Sequence, residues 1–215
     1  ARSLGYKDYH ALALHLAEQS QEEVDRVFTE LFELSQMPFS ELRRKMDEEL
    51  AKKYGIQVTG LAPWHYQDPF FQEAPSDGAF DPDRYYAGRD VKQLAADFYS
   101  GIGLDVTAIL ANSDLYERDG KNPHAFSTDI DRSGDVRILC NLRNNERWME
   151  TLLHELGHAT YDRYHDQSLP YLLRQPAHAF TTEAIAMFFG RFSRQPEWMR
   201  DMLNLSPAEY EKIKE

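Results

Sequence analysis

His154-Glu155-Leu156-Gly157-His158 repeats a histidine after four positions, inside a stretch from Trp148 to His165 that reads as a helix. Four residues make just over one helical turn, so the two imidazoles leave the same face. Met149, Leu152, Leu153 and Leu156 recur at helical spacing, and Asn144 or Asn145 is a suitable N-cap. The chain must therefore build a helix that buries one apolar stripe and presents two nitrogen donors. Two imidazoles so placed can hold one zinc ion, and Glu155 can reach a water on it. An amphipathic helix with two surface histidines has the same apolar spacing, so a third ligand has to decide between the two.

Glu183 is the candidate. It lies 25 residues after His158, where Thr181 to Phe189 opens a second apolar helical segment. The loop between, residues 166–176, gives the second helix enough chain to fold back antiparallel, which would bring a glutamate in its first turn to the two histidines. Two histidines and one carboxylate leave a fourth position open, as in a catalytic rather than a closed structural zinc site. The same ligand count also occurs at iron sites. Taken by itself, Glu183 reads first as an exposed helix-start carboxylate that complements the helix dipole, and its weight as a ligand comes from the spacing.

The remaining composition narrows the function class. Across 215 residues, 24 basic side chains face 36 acidic ones, a net charge of −12. This argues against nucleic acid and anionic membrane surfaces as partners. The single cysteine, Cys140, excludes an intrachain disulfide, fits a reducing compartment and reads as a small buried strand residue. No apolar run approaches the ~20 residues of a membrane-spanning helix. No signal peptide is visible behind Ala1. A cytoplasmic location is the resulting expectation.

Read in order, the chain predicts a mainly α fold with one β-hairpin. A helical run covers about Tyr9 to Ala17. A second helix opens at a Ser20-Gln21-Glu22-Glu23 capping box and runs to about Gln36; a third starts at Pro38 and Ser40 and is closed by Gly55. Residues 56–89 are rich in proline, glycine and aromatics, a composition that suits a site-lining loop or a core plug, the latter for Phe70 and Phe71 in particular. Asp90 caps a helix that Gly101 ends. His124–Ile130 and Asp135–Leu142 flank the turn sequence Asp131-Arg132-Ser133-Gly134 and read as a hairpin leading into the HELGH helix. Ser206-Pro207-Ala208-Glu209 is a further capping box. One catalytic-type region is expected over 1–215: helical scaffold in 1–60, aromatic loop and helices in 61–120, hairpin and ligand helices in 121–195, and the start of a further helical part in 196–215.

The HELGH motif, Glu183, the hairpin preceded by His124-Ala125-Phe126-Ser127-Thr128-Asp129, and the upstream run from Gly60 to Phe71 together resemble the gluzincin metallopeptidases. The nearest branches are the angiotensin-converting-enzyme-like and the thimet-oligopeptidase-like peptidases. The resemblance implies a helical metallopeptidase domain with one zinc per chain on His154, His158 and Glu183. Glu155 is then the general base, in an enzyme of oligopeptidase or dipeptidyl carboxypeptidase type acting on short extended peptides. It further implies that Ala125 and Phe126 offer backbone hydrogen bonds to the peptide and that His124 contacts a substrate carbonyl, a form of β-addition. There are two departures. The converting-enzyme branch has an aspartate four residues after its zinc glutamate to orient a ligand histidine; here that position is Met187. The family's oxyanion-stabilising residues come from a segment far beyond the zinc glutamate, so the resemblance implies a fragment of a longer peptidase. The alternative is a zinc- and peptide-binding module without turnover.

Overall fold

The computed structural model describes residues 1–66 and 81–214. The chain divides into two compact units, Ala1–Ala79 and Phe80–Glu215.

In the first unit, Asp8 caps helix α1 (Tyr9–Leu16) by accepting from the Ala11 N–H. Helix α2 (Gln21–Tyr54) follows. Its N-cap is Ser20, whose Oγ accepts from the Glu23 N–H, and Gly55 ends it in the left-handed conformation at φ 66°. The expected break at Pro38 is absent: α2 runs through the proline as one helix of 34 residues. A proline removes one backbone donor and crowds the preceding turn. Here the loss is spread over strong helix formers on both sides, supported by the i,i+4 pairs Arg26–Glu30, Arg43–Asp47 and Arg44–Glu48. Ser40 does not cap a new helix, because its hydroxyl donates back to the Gln36 carbonyl at 2.7 Å. Of the aromatic segment, Tyr66 is buried against α2 and donates to Asp47 at 2.6 Å, whereas Trp64 is exposed. Gln67 to Phe71, including Phe70 and Phe71, lie outside the described residues. The apolar side chains Phe28, Leu31, Leu34 and Met37 are exposed along α2, so the main core lies elsewhere.

That core belongs to the second unit. Its elements are α3 (Asp83–Tyr86), α4 (Val91–Gly101), α5 (Thr107–Asn112), the strands β1 (Phe126–Asp129) and β2 (Val136–Leu139), then α6 (Glu146–Arg163), α7 (Ala179–Gly190), α8 (Pro196–Leu203) and α9 (Pro207–Ile213). The architecture is mainly α with one two-stranded antiparallel sheet. Helix α6 is its axis. Met149, Leu152, Leu153, Leu156 and Ala159 are fully buried along one stripe, packed with Tyr99 of α4, Ile138 of β2 and Met199 and Leu203 of α8. Asn145 caps α6 by accepting from the Trp148 N–H at 3.0 Å. The start of α6 is tied down by Glu146, almost wholly buried, which accepts from Ser193 Oγ and Arg194 Nη2, both at 2.7 Å.

The hairpin is shorter than its sequence pattern implies. Phe126 pairs with Leu139, Ser127 with Ile138, Thr128 with Arg137 and Asp129 with Val136. The far edge of β2 is occupied: Asp114 N–H donates to the Ile138 carbonyl, Cys140 N–H to the Asp114 carbonyl and Leu142 N–H to the Leu115 carbonyl. Lys121, nearly inaccessible, holds that segment in place through the carbonyls of Asp114, Tyr116 and Cys140. Among the described residues, β1 pairs only with β2, so no strand covers its other edge. No helix among the described residues is long and apolar enough to cross a membrane.

Candidate metal centre

Helices α6 and α7 meet at small residues. A Cβ at Gly157 would stand 2.7 Å from the Ala186 Cα, and one at Gly190 would stand 3.4 Å from the His154 Cβ. Ala186 is wholly buried in this contact. The glycine inside the HELGH motif therefore sets how closely α7 approaches, and with it how far Glu183 must reach. Glu183 stands in the second turn of α7 rather than the first, because the helix begins at Ala179, ahead of the expected Thr181.

The approach brings three donors together. His154 Nε2 and His158 Nε2 face each other at 3.2 Å. Glu183 Oε2 lies 3.6 Å from His154 Nε2, and its Oε1 lies 3.5 Å from His158 Nε2. One ligand atom from each residue lies within 4.8 Å of the other two, the one such group of three among the described residues. Donors held at about 2.0–2.1 Å on a tetrahedral ion lie about 3.3 Å apart. The observed separations fit such an ion with one coordination position left over. Burial, followed by the neighbouring His158, lowers the His154 pKa against the opposing pull of Glu183. The ring is thereby kept neutral, the form in which histidine binds metal.

Glu155, next to His154 on α6, faces the Ser127 backbone of the hairpin and is 7% exposed. Burial raises its pKa to about 7, the Glu183 carboxylate adds to the rise, and a hydrogen bond with the Ser127 backbone opposes it. A carboxyl group titrating near neutrality is suited to taking and returning a proton. Cys140, directly after β2, is wholly buried with its thiol pushed up to about 12, the behaviour of a packing residue.

The three residues expected along the edge strand occupy different positions. His124 is exposed ahead of β1, and its N–H donates to Asn122 Oδ1 at 2.9 Å. Ala125 is partly buried against the core. Phe126 begins β1 and is 43% exposed. In an antiparallel ladder, alternate residues direct their backbone groups at the partner strand. Ile130 N–H donates to the Asp135 carbonyl, which places Ile130, Thr128 and Phe126 in the pairs bonded to β2. The Phe126 backbone is thus turned towards β2, and Ala125 and Ser127 carry the outward-facing groups. The parity of a strand depends on its register, which its residue types do not specify.

Two functional-looking contacts had no counterpart in the sequence reading. One is the Gly157–Ala186 approach, signalled only by a glycine in mid-helix. The other is Thr182 Oγ1, 2.7 Å from His158 Nδ1. Met187, at the position where the converting-enzyme-like peptidases carry an aspartate, is exposed.

No protein-family model matches this sequence, and no curated protein does. Among solved structures, one similar chain is a Bacillus anthracis str. Ames protein provisionally assigned as an oligoendopeptidase F. It superposes with a TM-score of 0.59 at 19% identity, over 100% of this chain and 38% of that one. The likeness is one of fold, and this chain spans well under half the length of that protein.

Proposed function

We propose that this chain carries the zinc site of a metallopeptidase that hydrolyses peptide bonds in short, extended peptides. The observation that carries the reading is the convergence of His154, His158 and Glu183 beside a buried glutamate whose pKa lies near neutrality. Support comes from the donor set, two imidazoles and one carboxylate with a position to spare, and from a fold shared with a chain provisionally assigned as a peptidase.

His154, His158 and Glu183 hold the ion. When bound, zinc supplies Lewis acidity, lowering the pKa of water and polarising a carbonyl. The residues of the chain do the rest. The strand-free edge of β1 aligns an extended peptide through the outward-facing backbone of Ala125 and the carbonyl of Ser127, whose N–H is engaged by Glu155. Glu155 takes the proton from the attacking water and returns it to the leaving amine.

The direct test is turnover of internally quenched peptides by the purified chain, with and without a strong chelator. Cleavage is expected to stop after chelation and to return with added zinc. Zinc binding with peptide affinity but no cleavage would support the binding-module alternative. Cleavage indifferent to chelation would contradict the metal role.

A further inference from the structure

Both nitrogens of the His158 ring face consecutive residues of α7. Glu183 faces Nε2 at 3.5 Å and Thr182 Oγ1 lies 2.7 Å from Nδ1. An imidazole binds a cation through the nitrogen that carries a lone pair, and which nitrogen does so depends on what the other one hydrogen-bonds. A hydroxyl that accepts at Nδ1 keeps the proton there and leaves the Nε2 lone pair free to face His154 Nε2. From this geometry we infer that Thr182 is the positioning residue for the metal centre, fixing the tautomer and tilt of His158 by accepting a hydrogen bond from its Nδ1–H. This rests on the metal-site reading above.

Two other groups come into question. Met187 has no hydrogen-bonding atom of consequence and is exposed. Asp162, one turn beyond His158 on α6, interacts with it through charge, but the two ring nitrogens of His158 are hydrogen-bonded elsewhere, Nδ1 to Thr182 and Nε2 to His154. Thr182 differs from an orienting carboxylate in being neutral. It fixes the ring without adding negative charge beside a site that already contains Glu183 and, nearby, Glu155. Thr182 sits between Thr181 and Glu183, so the contact is built into the same turn that delivers the third ligand.

The test is the zinc dissociation constant of the full chain, measured by competition with a chromophoric chelator, beside the ligand-field spectrum of the cobalt(II)-substituted protein. Thr182→Val keeps the side-chain shape and removes the acceptor. It is expected to weaken zinc binding about 10- to 100-fold and to shift the cobalt spectrum. Thr182→Ser, which restores the hydroxyl, is expected to recover both. Asp162→Asn is expected to change affinity by less than about threefold, well below the loss usual for a group orienting a ligand. Unchanged affinity and spectrum in Thr182→Val, or a loss in Thr182→Ser equal to that in Thr182→Val, would overturn the inference. Should Thr182→Val not fold, Thr182→Ala against Thr182→Ser makes the same comparison. Failure of the unmodified chain to bind zinc would remove the metal-site reading itself, and this inference with it.

Discussion

Glu155→Gln is expected to reduce peptide turnover by about two to four orders of magnitude, the usual contribution of a positioned general base, while leaving zinc content and the melting temperature of the chain unimpaired. The substitution is nearly isosteric and touches none of the three donor residues. Its effect on stability has a definite sign. In the metal-free protein Glu155 has its pKa raised from 4.5 to about 7 by burial first and by Glu183 second. A carboxyl group shifted in this direction contributes stability fully below about pH 4.5, and that contribution is lost as pH rises through about 7. Above neutrality the buried carboxylate therefore works against the fold, and glutamine removes the charge. Thermal unfolding of the metal-free proteins at pH 8 should find Glu155→Gln at least as stable as the unmodified chain. Turnover in Glu155→Gln at the unmodified rate would sink the assignment of the base.

The second large effect is expected at Gly157. In an exposed helix interior, replacing glycine by alanine stabilises by roughly 0.5–1 kcal/mol through backbone entropy. Here the added Cβ would meet backbone, the Ala186 Cα at 2.7 Å, with the Phe189 ring and the Ala186 nitrogen both at 3.3 Å. A backbone atom cannot swing aside as the end of a side chain can, so α7 must move off α6. Overpacking of this kind costs about 1–3 kcal/mol, enough to reverse the usual gain. Because α7 carries both Thr182 and Glu183, the displacement also pulls the third ligand from the histidines, and zinc affinity should fall with stability. Gly101→Ala, where the new methyl meets nothing within 4 Å, provides the contrast and is expected to leave zinc affinity unchanged and stability equal or slightly raised. Chemical denaturation and zinc titration of the two variants decide the matter. A Gly157→Ala chain as stable and as zinc-avid as its parent would show that the helix contact does not set the site.

Features encoded by neighbouring residues could be read from the sequence. The start of α6 at Asn145, its buried stripe from Met149 to Leu156, the hairpin turn over 131–134 and the Ser206 capping box each depend on residues within about one turn of one another. The helix through Pro38 could not be read this way. The local penalty of proline points to a break, and the outcome is decided by many small favourable terms on either side. The exposed apolar side of α2 shows the same limit, since hydrophobic spacing identifies a helix but not whether anything covers it. Within the site, the spacing from His158 to Glu183 pointed to a third donor, and the structure brings that donor within reach. The partner of His158 Nδ1 stayed hidden, because Thr182 in sequence is one polar residue at a helix start and acquires its role only through the α6–α7 contact. The facing of Phe126 was hidden for a related reason: shifting the register by one residue exchanges the outward and inward groups of an edge strand.

The central claim is that His154, His158 and Glu183 form a single metal centre. It is tested most directly by elemental analysis of the purified chain beside Glu183→Ala. The account predicts about one zinc per chain in the unmodified protein, lost or greatly weakened in the variant, since two histidines alone leave the ion short of the three protein ligands usual at such sites. An unmodified chain that takes up no zinc even when it is supplied, or a Glu183→Ala variant that holds zinc as tightly as its parent, would contradict it.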